Sequence, residues 1–184
     1  MDARQTFARL MPALWVLTDA RNDAALEHAL AHLPPGSGLV FRHYHLRGTE
    51  RRARFDALAW LARAKGHWVF LAGSPATARR WGADGVYGAP TRVAGGHGLL
   101  RLATAHSLRE LGAAGRAGAD AVMLSPVFPT RSHPGGKTLG PLRFRLLAAH
   151  SPVPVIALGG MNARTANRLA WPHWAAIDGR AAQR

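Results

Sequence analysis

Ala121-Val122-Met123-Leu124-Ser125-Pro126-Val127-Phe128-Pro129-Thr130 is an apolar run that empties into a polar, glycine-containing loop reaching Gly140. An unbroken apolar tetrad bounded by turn residues is the pattern of a strand buried on both faces. A buried strand that ends in such a loop is where α/β barrels place their chemistry. Pro154-Val155-Ile156-Ala157-Leu158-Gly159-Gly160-Met161-Asn162 repeats the plan, with two glycines ahead of a predicted helix whose first amides would face a bound anion. Two loops of this kind in succession point to a phosphate-bearing ligand.

Working outward, further apolar and β-branched runs occur at Ala13–Thr18, Gly38–Tyr44, Trp68–Ala72, Gly85–Tyr87, Leu100–Ala105 and Ala175–Ile177, and the two central runs are bounded as Ala121–Ser125 and Val153–Leu158. Helical patterns separate them at Asp23–Leu33, Arg51–Lys65, Pro75–Trp81, Leu108–Ala117, Pro141–Ala149 and Ala163–Leu169. Ser74, Ser107 and Asn162 read as N-caps, and Gly66, Gly82 and Gly118 as helix stops. Alternation without a change of composition predicts one parallel sheet. Its length favours closure into a single-domain (β/α)8 TIM barrel over residues 1–184.

Two helices are expected to be reduced. Thr91–Gly98 is short and glycine-rich, which predicts an irregular fourth connection. Only Asp178–Arg184 follow the last strand, so the eighth helix should be absent or a turn. The flanks of the first and last strands would then need cover, from Gln5–Met11 or from a homodimer partner.

Composition narrows the class. The chain carries 24 basic against 10 acidic residues, a formal +14, and no cysteine. Disulfides, thiolate metal sites and cysteine nucleophiles are excluded, and a cytoplasmic setting is expected. No apolar run is long enough for a membrane span. The segment Leu10–Leu17 superficially resembles a secretory signal, but Asp2 opens the segment and Thr18-Asp19 ends it. The positive charge would attract anionic substrates and could hold nucleic acid non-specifically. However, the arginines are dispersed, no nucleic-acid-reading motif accompanies them, and Arg47, Arg51, Arg52 and Arg54 read mostly as the solvated side of a helix whose apolar side is Phe55, Leu58, Trp60 and Leu61.

Leu14-Trp15-Val16-Leu17-Thr18-Asp19, Gly82-Ala83-Asp84-Gly85-Val86, Thr104-Ala105-His106-Ser107, Gly118-Ala119-Asp120, Ser125–Thr130 and Pro152–Gly160 together resemble, in order and spacing, the thiamine phosphate synthase family and its TenI-type relatives. The resemblance covers most of the chain. It implies a (β/α)8 barrel of thiamine biosynthesis. Synthases of that family join a pyrimidine diphosphate to a thiazole phosphate with magnesium, and the TenI type tautomerises the thiazole phosphate without metal.

Carried over residue by residue, the resemblance places thiazole and diphosphate contacts at Pro129, Thr130 and Ser132. His133 stands where a lysine is usual, and Lys137 is the candidate to supply that charge. Gly159 and Gly160 would receive the thiazole phosphate. Arg42 is the counterpart of an arginine for the pyrimidine diphosphate, Thr104 stands in place of a serine, and His106 falls at the tautomerase's proton-transferring histidine. Where the synthases hold magnesium with carboxylates, this chain has Gly73-Ser74 and Gly88-Ala89-Pro90. Standard synthase chemistry is therefore not expected, and magnesium would be a cofactor only if that activity is retained. The phosphate loop after the last strand is replaced by Asp178-Gly179-Arg180, with Arg180 a further anion contact.

Each candidate has a plainer reading. His106 could shuttle a proton, since imidazole both takes and gives one near neutral pH, or it could tie down a neighbouring loop. His43 and His45 alternate on one side of the second strand as a metal pair would, but no third ligand is evident nearby, and no metal site is assigned. Asp19 and Asp178 could meet at the active face. The plainer alternative pairs one with Arg21 or Arg180. Asp84 and Asp120 precede strands at the stability face, where capping is expected. Gly136-Lys137-Thr138 lacks the first glycine of a nucleotide-binding loop. The expected ligand is a small phosphorylated heterocycle, with proton transfer at His106. A catalytically degenerate metabolite-binding barrel and a basic nucleic-acid-binding protein remain as alternatives.

Overall fold

The computed structural model describes residues 3–130 and 135–177. Eight parallel strands close into a barrel in chain order: β1 Leu14–Leu17, β2 Gly38–Phe41, β3 Trp68–Ala72, β4 Gly85–Gly88, β5 Leu100–Ala105, β6 Ala121–Leu124, β7 Val155–Leu158 and β8 Trp174–Ala176. The helices are α1 Ala3–Arg9, α2 Leu26–His32, α3 Gly48–Ala64, α4 Pro75–Trp81, α5 Pro90–Val93, α6 Leu108–Arg116, α7 Gly140–Ala149 and α8 Ala163–Leu169. This is the (β/α)8 architecture expected. The fourth connection is reduced to the single turn of α5, and the expected remnant of an eighth helix falls on 178–184, outside the described residues.

The caps act as their sequences require. The Ser74, Ser107 and Asn162 side chains accept the amides of Thr77, Glu110 and Thr165. Gly82 takes the left-handed conformation, φ +70°, that ends α4. Asp84 and Asp120 extend the same logic to the lower rim of the barrel. Each carboxylate accepts an amide of the preceding strand, Val69 N at 2.7 Å and Arg101 N at 2.7 Å.

Successive strand residues point to opposite faces. Trp15, Val40, Phe70, Tyr87, Leu102, Met123, Ile156 and Ala175 belong to one cluster that fills the barrel, while Val16, Phe41, Leu71, Val86, Ala103 and Leu124 pack outward under the helices. The lower interior is aromatic, and Gly38 and Gly85 make room for it. A β-carbon on Gly38 would stand 2.1 Å from the Trp15 ring, and one on Gly85 2.3 Å from Phe70.

Four expectations are corrected. The N-terminal helix does not lie on the flank of β1 and β8. Phe7 of α1, 1% exposed, enters the lower mouth of the barrel and packs edge-on against Trp15 and Trp68 and tilted on Phe70. Arg4 pairs with Asp120 at 3.2 Å and holds the helix there. The aromatic interior offers Phe7 more apolar contact than an outer flank would.

The second strand ends at Phe41, not Tyr44. The Arg42 amide leaves the ladder for Thr18 Oγ1, and His43 turns the chain with φ +28°. In α3, Phe55, Leu58, Ala59 and Ala62 form the buried stripe, whereas Trp60 is 74% exposed. At 100° per residue, position 60 points away from a stripe centred on 55, 58, 59 and 62.

The Arg47–Arg54 cluster is also less solvated than its composition suggests. Arg51 donates to the carbonyls of Arg42, His43 and Ala72. Arg54 bonds Asp23 and Glu27. No described helix is long and apolar enough to cross a membrane.

Candidate functional site

Following the inward rows two or four residues past the interior layer brings Asp19, Arg42, Thr104, His106, Ser125 and Gly160 to the C-terminal rim. The loop after β6 assembles one side of it. His106 Nδ1 lies 2.8 Å from the Ser125 carbonyl oxygen and 3.3 Å from Ser125 Oγ. The next residues of that loop run alongside the glycine pair: Val127 N donates to Leu158 O, and Phe128 N to Gly159 O. The loop returns with Leu139 N on Pro126 O and Gly140 N on Val127 O, which carries the exposed Lys137 back beside it. His106, Lys137, Gly159 and Gly160 are thus all attached to one loop. Thr130 closes its described part. Ser132 and His133 lie outside the described residues, as do Asp178 and Arg180.

A carbonyl oxygen only accepts, so the His106 bond requires a proton on Nδ1. In the neutral ring Nε2 is then bare, and the side chain is exposed at the rim. The backbone is fixed as well, since His106 N donates to the Glu110 carboxylate at 2.5 Å.

Gly159 and Gly160 have positive φ, +94° and +63°, and both press on the β6 loop. A β-carbon would come within 2.6 Å of Pro126 Cα at the first and 2.5 Å of Pro129 O at the second. Loop packing therefore demands both glycines whether or not an anion binds. In the next turn Asn162 and Thr165 form a reciprocal capping box, and Thr165 Oγ1 donates to Gly160 O.

Arg42 is paired. Its Nη2 lies 3.1 Å from Asp19 Oδ2, and Arg21 Nε lies 2.8 Å from Asp19 Oδ1. The Arg21 hydrogen bond, more than burial opposes it, holds the Asp19 carboxyl below its ordinary range.

Below this pair sits a buried network. Thr18 Oγ1 accepts Arg42 N–H and meets His43 Nδ1 at 2.5 Å, while His43 Nε2 reaches Asp23 Oδ1 at 2.7 Å. Burial lowers the His43 imidazole, favouring the neutral ring, so Nε2–H donates to Asp23 and Thr18 O–H to Nδ1. Burial alone would raise Asp23, but the bonds from His43 and Arg54 outweigh it. The structure thus supplies the third potential ligand that the sequence lacked, because Asp23, His43 and His45 bring donor atoms within 4.8 Å of one another. The Asp23 oxygen and both His43 nitrogens are, however, already engaged in these bonds.

Sequence reasoning missed the cavity above β2–β5. Of about 570 Å³, it is lined among others by Tyr44, Arg47, Arg51, Tyr87, Arg92 and Thr104. Burial pushes the Tyr87 phenol up to about 12, so it remains a neutral donor. Thr104 belongs to this cavity and stands two residues before His106 on β5, linking the two parts of the rim. Strand alternation could have revealed Tyr87, two residues beyond inward-facing Gly85. No local pattern joins it to Arg47 and Arg92.

Comparison with known proteins adds to this geometry. A family model described as thiamine monophosphate synthase matches residues 14–181. A putative thiamine-phosphate synthase 2 of Aquifex aeolicus is 40% identical over 58 residues, which span 32% of this chain and 31% of that protein. The thiamine phosphate pyrophosphorylase of Pyrococcus furiosus has the same fold, with TM-score 0.77, 24% identity, and 96% of this chain and 93% of that one covered. FabK of Thermotoga maritima shares the barrel at TM-score 0.70 and 16% identity, over 96% of this chain and 61% of its own.

Proposed function

Because the chain belongs to the thiamine monophosphate synthase family, we propose that it binds a phosphorylated thiazole, or a similar phosphorylated heterocycle, at the C-terminal rim and moves a proton on that ring through His106. The observation that carries the reading is the His106 Nδ1 contact with the Ser125 carbonyl, which leaves Nε2 as the available base. The phosphate rests against the Gly159-Gly160 backbone with Thr130 and Lys137 beside it, and Ser132 and Arg180, outside the described residues, are the further contacts that the sequence suggests. Arg42 and Thr104 bind the far side of the ligand.

The chemistry needs no second reactant. Nε2 takes a proton from a carbon of the bound heterocycle, and the imidazolium, its Nδ1–H still held by Ser125, returns it to another atom of the same molecule. The ligand is isomerised with no net proton change. The residues after β3 and β4 favour this over magnesium-dependent condensation. Gly73 and Gly88 bring no side-chain oxygen, and Ser74 Oγ already caps α4.

Calorimetry with the phosphorylated and unphosphorylated thiazole tests the binding half. The phosphorylated ligand should bind at least about tenfold more tightly, as expected for charge-assisted hydrogen bonds. Equal affinity would remove the phosphate from the account.

A further inference from the structure

Asp23, His43 and His45 meet at the edge of the rim, where the turn after β1 faces the loop after β2, and one donor atom of each lies within 4.8 Å of the others. Two of the three are held in place. The Asn22 side chain donates to the carbonyls of Leu17 and Ile177, which fixes the turn and with it Asp23. His43 is wholly buried, its ring stacked 4.7 Å from Phe41 and its Nε2 2.7 Å from Asp23 Oδ1. The turn at His43 then brings His45 back beside it, with the two rings 5.0 Å apart. His45 is exposed, and its side chain has no hydrogen-bond partner among the described residues, so it can turn towards the pair.

The existing bonds leave room for a cation. Arg54 shares Asp23 Oδ1, but it also bonds the Glu27 carboxylate and the Asp23 carbonyl, and it stays satisfied when that oxygen turns to a metal. Two carboxylates against one guanidinium leave this group of side chains with a net negative charge. A metal ion about 2.0–2.1 Å from each ligand would replace the proton between Nε2 and Oδ1 and open that contact by less than ~1 Å. The imidazole then carries its proton on Nδ1, facing Thr18 Oγ1, and this bond orients the ring from behind. Two imidazoles and a carboxylate, with a fourth position left to water, form a donor set suited to zinc. Magnesium and calcium need several oxygens, and Arg51 and Arg54 close by would repel an ion held by charge alone.

We propose that Asp23, His43 and His45 bind a zinc ion that clamps the turn after β1 to the loop after β2. The inference is independent of His106 and of the phosphate contact at Gly159-Gly160.

Calorimetry of the metal-free protein titrated with zinc chloride is the test, with thermal unfolding as a second readout. A single equivalent should bind and raise the melting temperature of the parent. His45→Asn alters only an exposed member of the cluster, so the fold should persist while zinc affinity falls by about tenfold or more. Asp23→Asn should lose affinity likewise, with circular dichroism reporting an intact barrel. His28 and His32 offer the competing explanation, since they lie one turn apart on the exposed side of α2 with rings 4.1 Å apart, a spacing that can itself chelate a metal. His32→Gln should leave affinity within about twofold, as expected of a residue outside the site. Failure of zinc to bind the parent, undiminished affinity in His45→Asn, or a tenfold loss in His32→Gln would overturn the proposal.

Discussion

His106 Nδ1 stands 2.8 Å from the carbonyl oxygen of Ser125, the residue at which β6 gives way to its loop. One hydrogen bond thus fixes the imidazole tautomer, aims Nε2 at the rim and ties β5 to the loop that also carries the glycine pair. The neutral ring should be the Nδ1–H tautomer, which ¹⁵N NMR of labelled protein distinguishes directly. An Nε2–H tautomer would remove the base from the proposed site.

Phe7 seals the lower mouth of the barrel, so Phe7→Ala should destabilise the protein by ~3–5 kcal/mol, the usual range for emptying a buried aromatic site. Urea unfolding followed by tryptophan fluorescence measures it, because Trp15 and Trp68 line the vacated space. The oligomeric state should not change, since Phe7 fills an interior mouth. A loss below about 1 kcal/mol would show that α1 contributes little to the core.

Acidification should weaken the fold before the lowered carboxylates Asp19, Asp23 and Glu27 titrate, although Asp84, raised by burial, works in the opposite sense. Burial depresses His43 and His67 below the ordinary 6.5. As pH falls below 6.5 the unfolded chain takes up protons that the native state refuses, so stability declines from there down through the native pKa values. Asp19, Asp23 and Glu27 are lowered from 3.8, 3.8 and 4.5, so their contribution is lost only at lower pH. Urea midpoints should therefore fall between pH 7.5 and 5.5, and less steeply in His67→Gln. A flat profile over that interval would contradict the buried neutral assignment.

Gly160→Ala should cost ~1–3 kcal/mol, because it forces a β-carbon against Pro129 O and Phe128 Cβ at a positive φ. Thermal unfolding of the ligand-free protein checks this. Unchanged stability would show that the glycine serves the ligand and not the loop.

Much of the barrel was legible because its rules are local. Trp68–Ala72, Pro75–Trp81, Leu100–Ala105 and Ala163–Leu169 begin and end where β-branched runs and capping residues place them. Asp84 and Asp120 could be assigned to the stability face from position alone. The errors arise where distant residues compete with local pattern. Thr18 draws the Arg42 amide out of the second strand, and carbonyls from Arg42, His43 and Ala72 pull Arg51 inward. The site divides in the same way. His106 and the glycine pair announce themselves by lying after strands, whereas Asp23 comes beside His43, and Arg92 and Arg47 come to one cavity, only on closure of the barrel.

Proton exchange on the bound thiazole phosphate, followed by NMR in deuterated buffer, tests the central claim most directly. The parent protein should exchange the acidic carbon-bound proton, and His106→Asn should bind the ligand with nearly unchanged affinity while exchanging it about 10²- to 10⁴-fold more slowly. Exchange by His106→Asn at the parent rate would contradict the assignment of His106, and binding without exchange by the parent would make the barrel a non-catalytic receptor for the same ligand.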